Sequence, residues 1–286
     1  MLTRIITAVI GIIVAVGVII YGGGLFAFAV LGLSMLAWYE LRTMAQTKGV
    51  NIYLWSSGGA VLFLLSLCGW FLVNGVNYIA LMLFLMMVVV TAILLITFEG
   101  LWRHCHNMEE HWLQGAAYSI FAFIYCGLLF AHVLFIRSVG GQDVYFIRSM
   151  EYGEAFLWLV LFGTWASDTF AYFVGITFGR HKFCSVSPKK SWEGAVGGFI
   201  GSVAVVVAIG QGILFMPTWQ AMLIGLVIAF FAPVGDLVES VLKREFAVKD
   251  SGKILPGHGG ILDRFDSLLF TAPLAYYTLL LTNLWK

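Results

Sequence analysis

Nine apolar runs, each close to the length that crosses a bilayer, leave this chain few ways to fold. A helix needs about 20 consecutive apolar residues to span hydrocarbon, because no water is present there to satisfy backbone N–H and C=O groups. The runs are Ile5–Ile20, Leu25–Leu41, Tyr53–Val73, Tyr78–Phe98, Gly115–Ile136, Ala155–Phe178, Ala195–Phe215, Trp219–Leu242 and Phe265–Trp285. Only 11% of the residues are charged, against about 25% in a soluble domain. The expected fold is an all-α polytopic membrane protein with about nine transmembrane helices. Gly22-Gly23-Gly24 between the first two runs predicts a helical hairpin. Arg4 and the apolar run behind it resemble a signal peptide, but no small-x-small cleavage site follows, so an uncleaved first helix is expected.

Charge gives the sidedness. With the N-terminus inside, only Arg137, Arg148 and Lys286 of the 16 Lys and Arg fall outside. Cytoplasmic loops carry the excess of basic residues, so the N-terminus is expected in the cytoplasm and the C-terminus outside. The net charge of +1 says nothing about partners, and nucleic acid is not expected among them. Cys68, Cys105, Cys126 and Cys184 show no paired spacing, and His104-Cys105-His106 fits no zinc pattern. The segment 99–114 interleaves Glu99, Arg103, Glu109 and Glu110 with Trp102 and Trp112, which predicts an interfacial helix. Arg4 and Glu40 read as snorkelling anchors at the ends of the first two spans. Gly11, Gly32, Ser57, Gly58 and Gly59 predict close packing among the early helices.

One stretch breaks the apolar pattern. Asp236 to Asp266 holds 11 of the 31 charged residues, between two nearly pure apolar runs. Asp236, Glu239, Ser240 and Lys243 fall on one helical face. Asp263 and Asp266 are one turn apart at the start of the next helix, where carboxylates suit the positive helix end. Gly252, Gly257, Gly259 and Gly260 supply a backbone able to turn sharply, whose N–H groups can cradle phosphate oxygens. A carboxylate at membrane depth costs about 2.5–3.5 kcal/mol unless it is partnered or meets water. Asp236, and Asp168 in mid-segment of Trp165-Ala166-Ser167-Asp168-Thr169, therefore read as functional groups. The loop from Arg180 to Gly194 gathers Lys182, Ser187, Lys189, Lys190 and Ser191, a set suited to phosphate groups.

The polar stretch carries a resemblance. It reads Ser240-Val241-Leu242-Lys243-Arg244, four residues, Lys249-Asp250-Ser251-Gly252, two residues, then Leu255-Pro256-Gly257-His258-Gly259-Gly260-Ile261-Leu262-Asp263-Arg264-Phe265-Asp266. This is similar to the signature of the phosphatidate cytidylyltransferase family, also called CDP-diacylglycerol synthases, without a gap or departure. Ser187-Pro188-Lys189-Lys190-Ser191 resembles a second block that often ends in Thr; Ser191 keeps the hydroxyl. The resemblance covers about 165–266 through motifs and the first half only through hydropathy. It implies transfer of the cytidylyl group of CTP to phosphatidic acid, giving CDP-diacylglycerol and pyrophosphate, with Mg²⁺ required and a second cation left open.

The roles expected under that resemblance follow the residues. Asp236 and Asp263 are the first-choice metal ligands, with Asp250, Asp168 and Glu239 as second choices. Lys243, Arg244, Lys249 and Arg264 would hold phosphates. Lys189 and Lys190, with Ser187 and Ser191, would meet the CTP tail or the lipid phosphate. His258 would bond or protonate a phosphate, or stabilise the turn. Residues 1–154 are expected to be mainly structural and 155–286 catalytic, with the signature at 240–266. The expected location is the inner (plasma) membrane, crossed several times. A homodimer stays open. Two other classes compete: a transporter or channel, which predicts internal repeats that the chain does not show, and a lipid kinase such as a dolichol or phytol kinase, which would lack the long ungapped match.

Overall fold

The computed structural model describes residues 2–75, 78–146, 148–182, 187, 190–254 and 259–283. The chain divides into two compact bodies, one formed by 1–138 with 245–263 and the other by 139–244 with 264–286. The two interleave along the sequence, because the polar stretch crosses from the second body to the first and back.

The first body holds α1 (Leu2–Tyr21), α2 (Gly23–Gln46), α3 (Leu54–Asn74), α4 (Tyr78–Cys105) and α5 (Trp112–Arg137). The break between α1 and α2 falls at Gly22, whose φ of 66° suits glycine and whose missing side chain leaves room for the Arg137 guanidinium. Helices α3 and α5 contain wide π turns at Leu54–Gly58 and Phe123–Leu128. Trp38 Nε1 donates to Ser57 Oγ at 3.0 Å, and Ser57 Oγ donates to the carbonyl of Ser119 at 2.9 Å, which ties α2, α3 and α5 together. Gly58 lies flat against the Trp38 ring. Of the small residues expected to pack, Ser57 and Gly58 do so; Gly11, Gly32 and Gly59 leave open space where a side chain would be. The expected interfacial helix is not a separate element. Its first half continues α4 as far as Cys105, and a short turn leads to α5 at Trp112.

The second body opens with a two-stranded antiparallel ribbon, β1 (Val144–Tyr145) and β2 (Ser149–Met150). Four helices follow: α6 (Tyr152–Phe178), α7 (Trp192–Gly212), α8 (Thr218–Glu245) and α9 (Leu262–Asn283). Helices α6 and α7 pack along their length, with Gly198 against the backbone of Ser167 and Ser202 Oγ donating to the Gly163 carbonyl at 2.9 Å. Thr164 and Thr271 meet at 3.0 Å and join α6 to α9. At Gly235 the α8 backbone touches α9 so closely that a Cβ would sit 2.5 Å from the Asp266 carbonyl. That contact brings Asp236, the next residue, beside the first turns of α9.

Among the described residues, α2 to α8 are seven helices long and apolar enough to cross a membrane. Among the described residues each of the nine apolar runs lies in a helix, but the stretch of α1 that counts as apolar is only Val9–Tyr21, and α9 carries Asp263, Arg264 and Asp266 in its first turns. Exposed apolar side chains such as Ile13, Phe28, Leu83, Leu94, Phe98 and Ile200 cover the outward faces, the surface that lipid would meet. The protein is an all-α polytopic membrane protein.

Candidate functional site

The acids of the second body gather where α6, α8 and α9 come together. Lys190 Nζ lies 2.6 Å from Asp236 Oδ2, and Ser240 Oγ donates to Asp236 Oδ1 at 3.3 Å from one turn further along α8. Asp236 and Lys190 each keep about a third of their side-chain surface exposed (32% and 30%), so the pair is open to a ligand. Asp168 and Asp266 stand close enough to Asp236 for their charges to act on it. Asp168 accepts no hydrogen bond among the described residues, and Asp266 Oδ1 takes the amide of Ser267 at 2.6 Å. Three carboxylates thus share one region with one ammonium in direct contact. Next along α8, Glu239 is buried and forms an ion pair with Lys243.

Asp266 is the member that sequence reasoning missed. The reading gave it a helix-end role, whereas its charge opposes those of Asp236 and Asp168. The signal was present, since an acid at an apolar boundary was the argument already used for Asp236.

The basic loop is anchored at both ends. Ser191 Oγ caps α7 by accepting from the Gly194 amide at 3.1 Å. Glu193 accepts from the amides of Arg180 and His181 and pairs with the His181 ring at 2.6 Å. Ser187 offers its carbonyl to the Lys190 amide at 3.1 Å. Lys189 lies outside the described residues, as does His258.

The first body holds the other half of the signature, and its carboxylates are differently placed. Asp263 Oδ2 accepts from the Ser251 amide (3.0 Å), the Ser251 hydroxyl (3.0 Å) and the Gly260 amide (2.8 Å). Glu40, on α2, is only 2% exposed. Its Oε1 accepts from the Ile261 amide at 2.9 Å, and its Oε2 from the Leu262 amide at 3.0 Å and the Ser251 hydroxyl at 3.1 Å. The snorkelling reading of Glu40 is therefore overturned: the carboxylate turns inward because the start of α9 presents unsatisfied amides and no Ser, Thr, Asp or Asn at the capping position to meet them. For the amides of 260–262 the phosphate-cradle reading is corrected at the same place, while Gly257 lies outside the described residues. The amides of residues 260–262 are taken by carboxylates, and a Cβ on Gly260 would sit 2.5 Å from both Glu40 oxygens.

The remaining signature groups face outward. Lys249, Asp250, Arg244 and Arg264 are exposed. No three His, Cys, Asp or Glu among the described residues form a ready-made metal cage. Asp236, within reach of the charges of Asp168 and Asp266, nonetheless sets a part-exposed carboxylate among like charges. That chemistry fits a hard cation such as Mg²⁺, which keeps several waters and takes only one or two carboxylates.

Comparison with known proteins gives the family. Residues 2–282 match the model of the cytidylyltransferase family. A phosphatidate cytidylyltransferase of Bacillus subtilis is 34% identical over 292 residues, covering 97% of each chain. One from Staphylococcus saprophyticus is 34% identical over 277 residues, covering 96% of this chain and 97% of that protein. One from Synechocystis is 49% identical over 119 residues, 41% of this chain and 40% of that protein.

Proposed function

The chain belongs to the cytidylyltransferase family, and we propose that it transfers the cytidylyl group of CTP to phosphatidic acid, releasing pyrophosphate and leaving CDP-diacylglycerol in the membrane. It is a nucleotidyltransferase. The observation that carries the proposal is the Lys190–Asp236 pair set beside Asp168 and Asp266 among membrane-length helices. Such a region attracts a cation and a phosphate at once, which is what two polyanionic reactants need.

The proposed step is an in-line displacement. A phosphatidate oxygen forms a bond to the α-phosphorus of CTP, the bond to the bridging oxygen breaks, and that oxygen leaves with the electron pair as pyrophosphate. The attacking oxygen is already an anion, so the chain supplies no covalent nucleophile. Its task is to hold like charges together and in line. A bound Mg²⁺ would offset the phosphate charge. In the second body the first-choice residue to hold it is Asp236, with Asp168 beside it and Asp266 near, and Glu239 stands behind; in the first body the first-choice residue is Asp263, with Asp250 behind it. Lys190 neutralises a phosphate oxygen when it leaves Asp236 for substrate. Lys189, Lys243, Arg244, Lys249 and Arg264 steer and hold the remaining phosphate charge, with Ser187 and Ser191 completing the basic loop and His258 assigned to a departing phosphate. A cytoplasmic N-terminus and an outer C-terminus would place both loops where CTP is found, in an inner (plasma) membrane location.

The test follows a labelled CTP into the lipid phase, with purified protein and phosphatidate in detergent. Incorporation with Mg²⁺, and none from labelled UTP or ATP, is the expected result. Equal use of all three nucleotides, or no lipid-phase label from any, would refute the reading.

A further inference from the structure

Glu40 belongs to a span that the sequence gives no chemical role, yet it is almost wholly buried and its oxygens accept three hydrogen bonds from the signature loop. Two of those bonds come from the amides that open α9, which an uncapped helix start leaves without partners. The third comes from Ser251, whose hydroxyl also lies 3.0 Å from Asp263 Oδ2. A serine has a single hydrogen to donate, so its one hydroxyl proton is offered between two carboxylates. Gly252 and Gly260 come up against the Glu40 carboxylate with no room for a side chain. The loop is thus wrapped around Glu40, and Asp263 takes its position from the same wrapping.

We infer that Glu40 is a positioning residue for the transfer: it fixes Asp263 through Ser251 and through the amides of Ile261 and Leu262, without touching either reactant. The inference rests on the proposed role of Asp263 as a metal ligand. Partners that orient a metal ligand are worth about 10–100-fold in affinity or activity when removed. Glu40 does this from 221 residues away in sequence, so the first body contributes to chemistry that the motifs place entirely in the C-terminal half.

The experiment compares wild type, Glu40→Gln, Glu40→Asp and Ser251→Ala. Activity is measured per folded molecule, as turnover, KM for CTP and the Mg²⁺ concentration at half-maximal rate. Hydrogen exchange at the amides of 260–262 is measured in parallel. The Gln variant keeps size but turns an NH₂ group toward backbone donors. It is expected to lose turnover by about 10–100-fold and to need more Mg²⁺, with KM for CTP within about twofold of wild type, and to exchange those amides faster. The Asp variant keeps the charge and is expected to recover part of the loss. Ser251→Ala, which leaves the Glu40 bonds to the amides intact, is expected to shift the Mg²⁺ requirement in the same direction by less. A Gln variant with wild-type turnover and Mg²⁺ dependence, or one in which only thermal stability falls, would overturn the inference. Wild type without lipid-phase label would overturn the proposed reaction instead. The exchange data would still decide whether Glu40 holds the loop, since unchanged exchange in the Gln variant contradicts it whatever the reaction.

Discussion

Two groups of carboxylates in this protein stand in opposite circumstances. Glu40 and Asp263, in the first body, are surrounded by amide and hydroxyl donors. Asp168, Asp236 and Asp266, in the second, lie within reach of one another's charge, and among the described residues one lysine ammonium, Lys190, is in direct contact with Asp236. A carboxylate that accepts backbone hydrogen bonds is stabilised as an anion and is rigid. Carboxylates that face each other store repulsion, which a bound cation relieves. On the proposed reading, the first group is fixed by its donors, Asp263 included, and the second is left for a cation to neutralise, although the residue types are the same.

The largest effect should come from removing a crowded acid. Asp236→Asn is expected to lower turnover by more than about 100-fold, with an unchanged elution profile in detergent. Wild-type activity at limiting Mg²⁺ would break the comparison on the ligand side. Lys190→Met comes next. Loss of a charge-assisted bond of about 1.5–3 kcal/mol should raise the KM for an anionic substrate by about 10–100-fold, and Lys190→Arg should recover part of it. A loss confined to turnover, with KM unchanged, would place Lys190 outside substrate binding.

Stability without metal sharpens the contrast, because the two groups should respond with opposite signs. Neutralising Asp168 or Asp266 removes repulsion, so Asp168→Asn is expected to raise the metal-free Tm by about 2–4 °C while activity falls. Glu40→Gln should lower it, since it leaves buried amides facing a donor. A fall in both would mean that the crowded acids are structural. Smallest of all, Thr164→Val removes one 3.0 Å bond between α6 and α9 and should cost about 1 kcal/mol with turnover unchanged.

Hydropathy made the helices legible, because bilayer thickness leaves little freedom in their length. Among the described residues the apolar runs lie in helices, with ends shifted by a few residues where polar side chains continue a helix, as at Glu99 to Cys105. Asp236 stood out as an acid behind a long uncharged run, and Lys190 as part of the basic 187–191 block. Glu40 was not legible, since its partners lie 211 to 222 residues away and a lone acid near a span end is ordinarily an anchor. Nor was the division of the signature between two bodies, which depends on packing that no local pattern encodes. Asp266 carries the same signal as Asp236, an acid at an apolar boundary, but a place in the first turns of a helix also suits such an acid.

Thermal unfolding of purified protein in detergent, with Mg²⁺ added and both substrates left out, addresses the crowded acids most directly. A cation bound only by the folded state must stabilise it, by about 2.7 kcal/mol at a hundred times its dissociation constant. Wild type should gain Tm as Mg²⁺ rises, and Asp236→Asn should gain little. An equal gain in both would contradict the claim that these carboxylates await a metal.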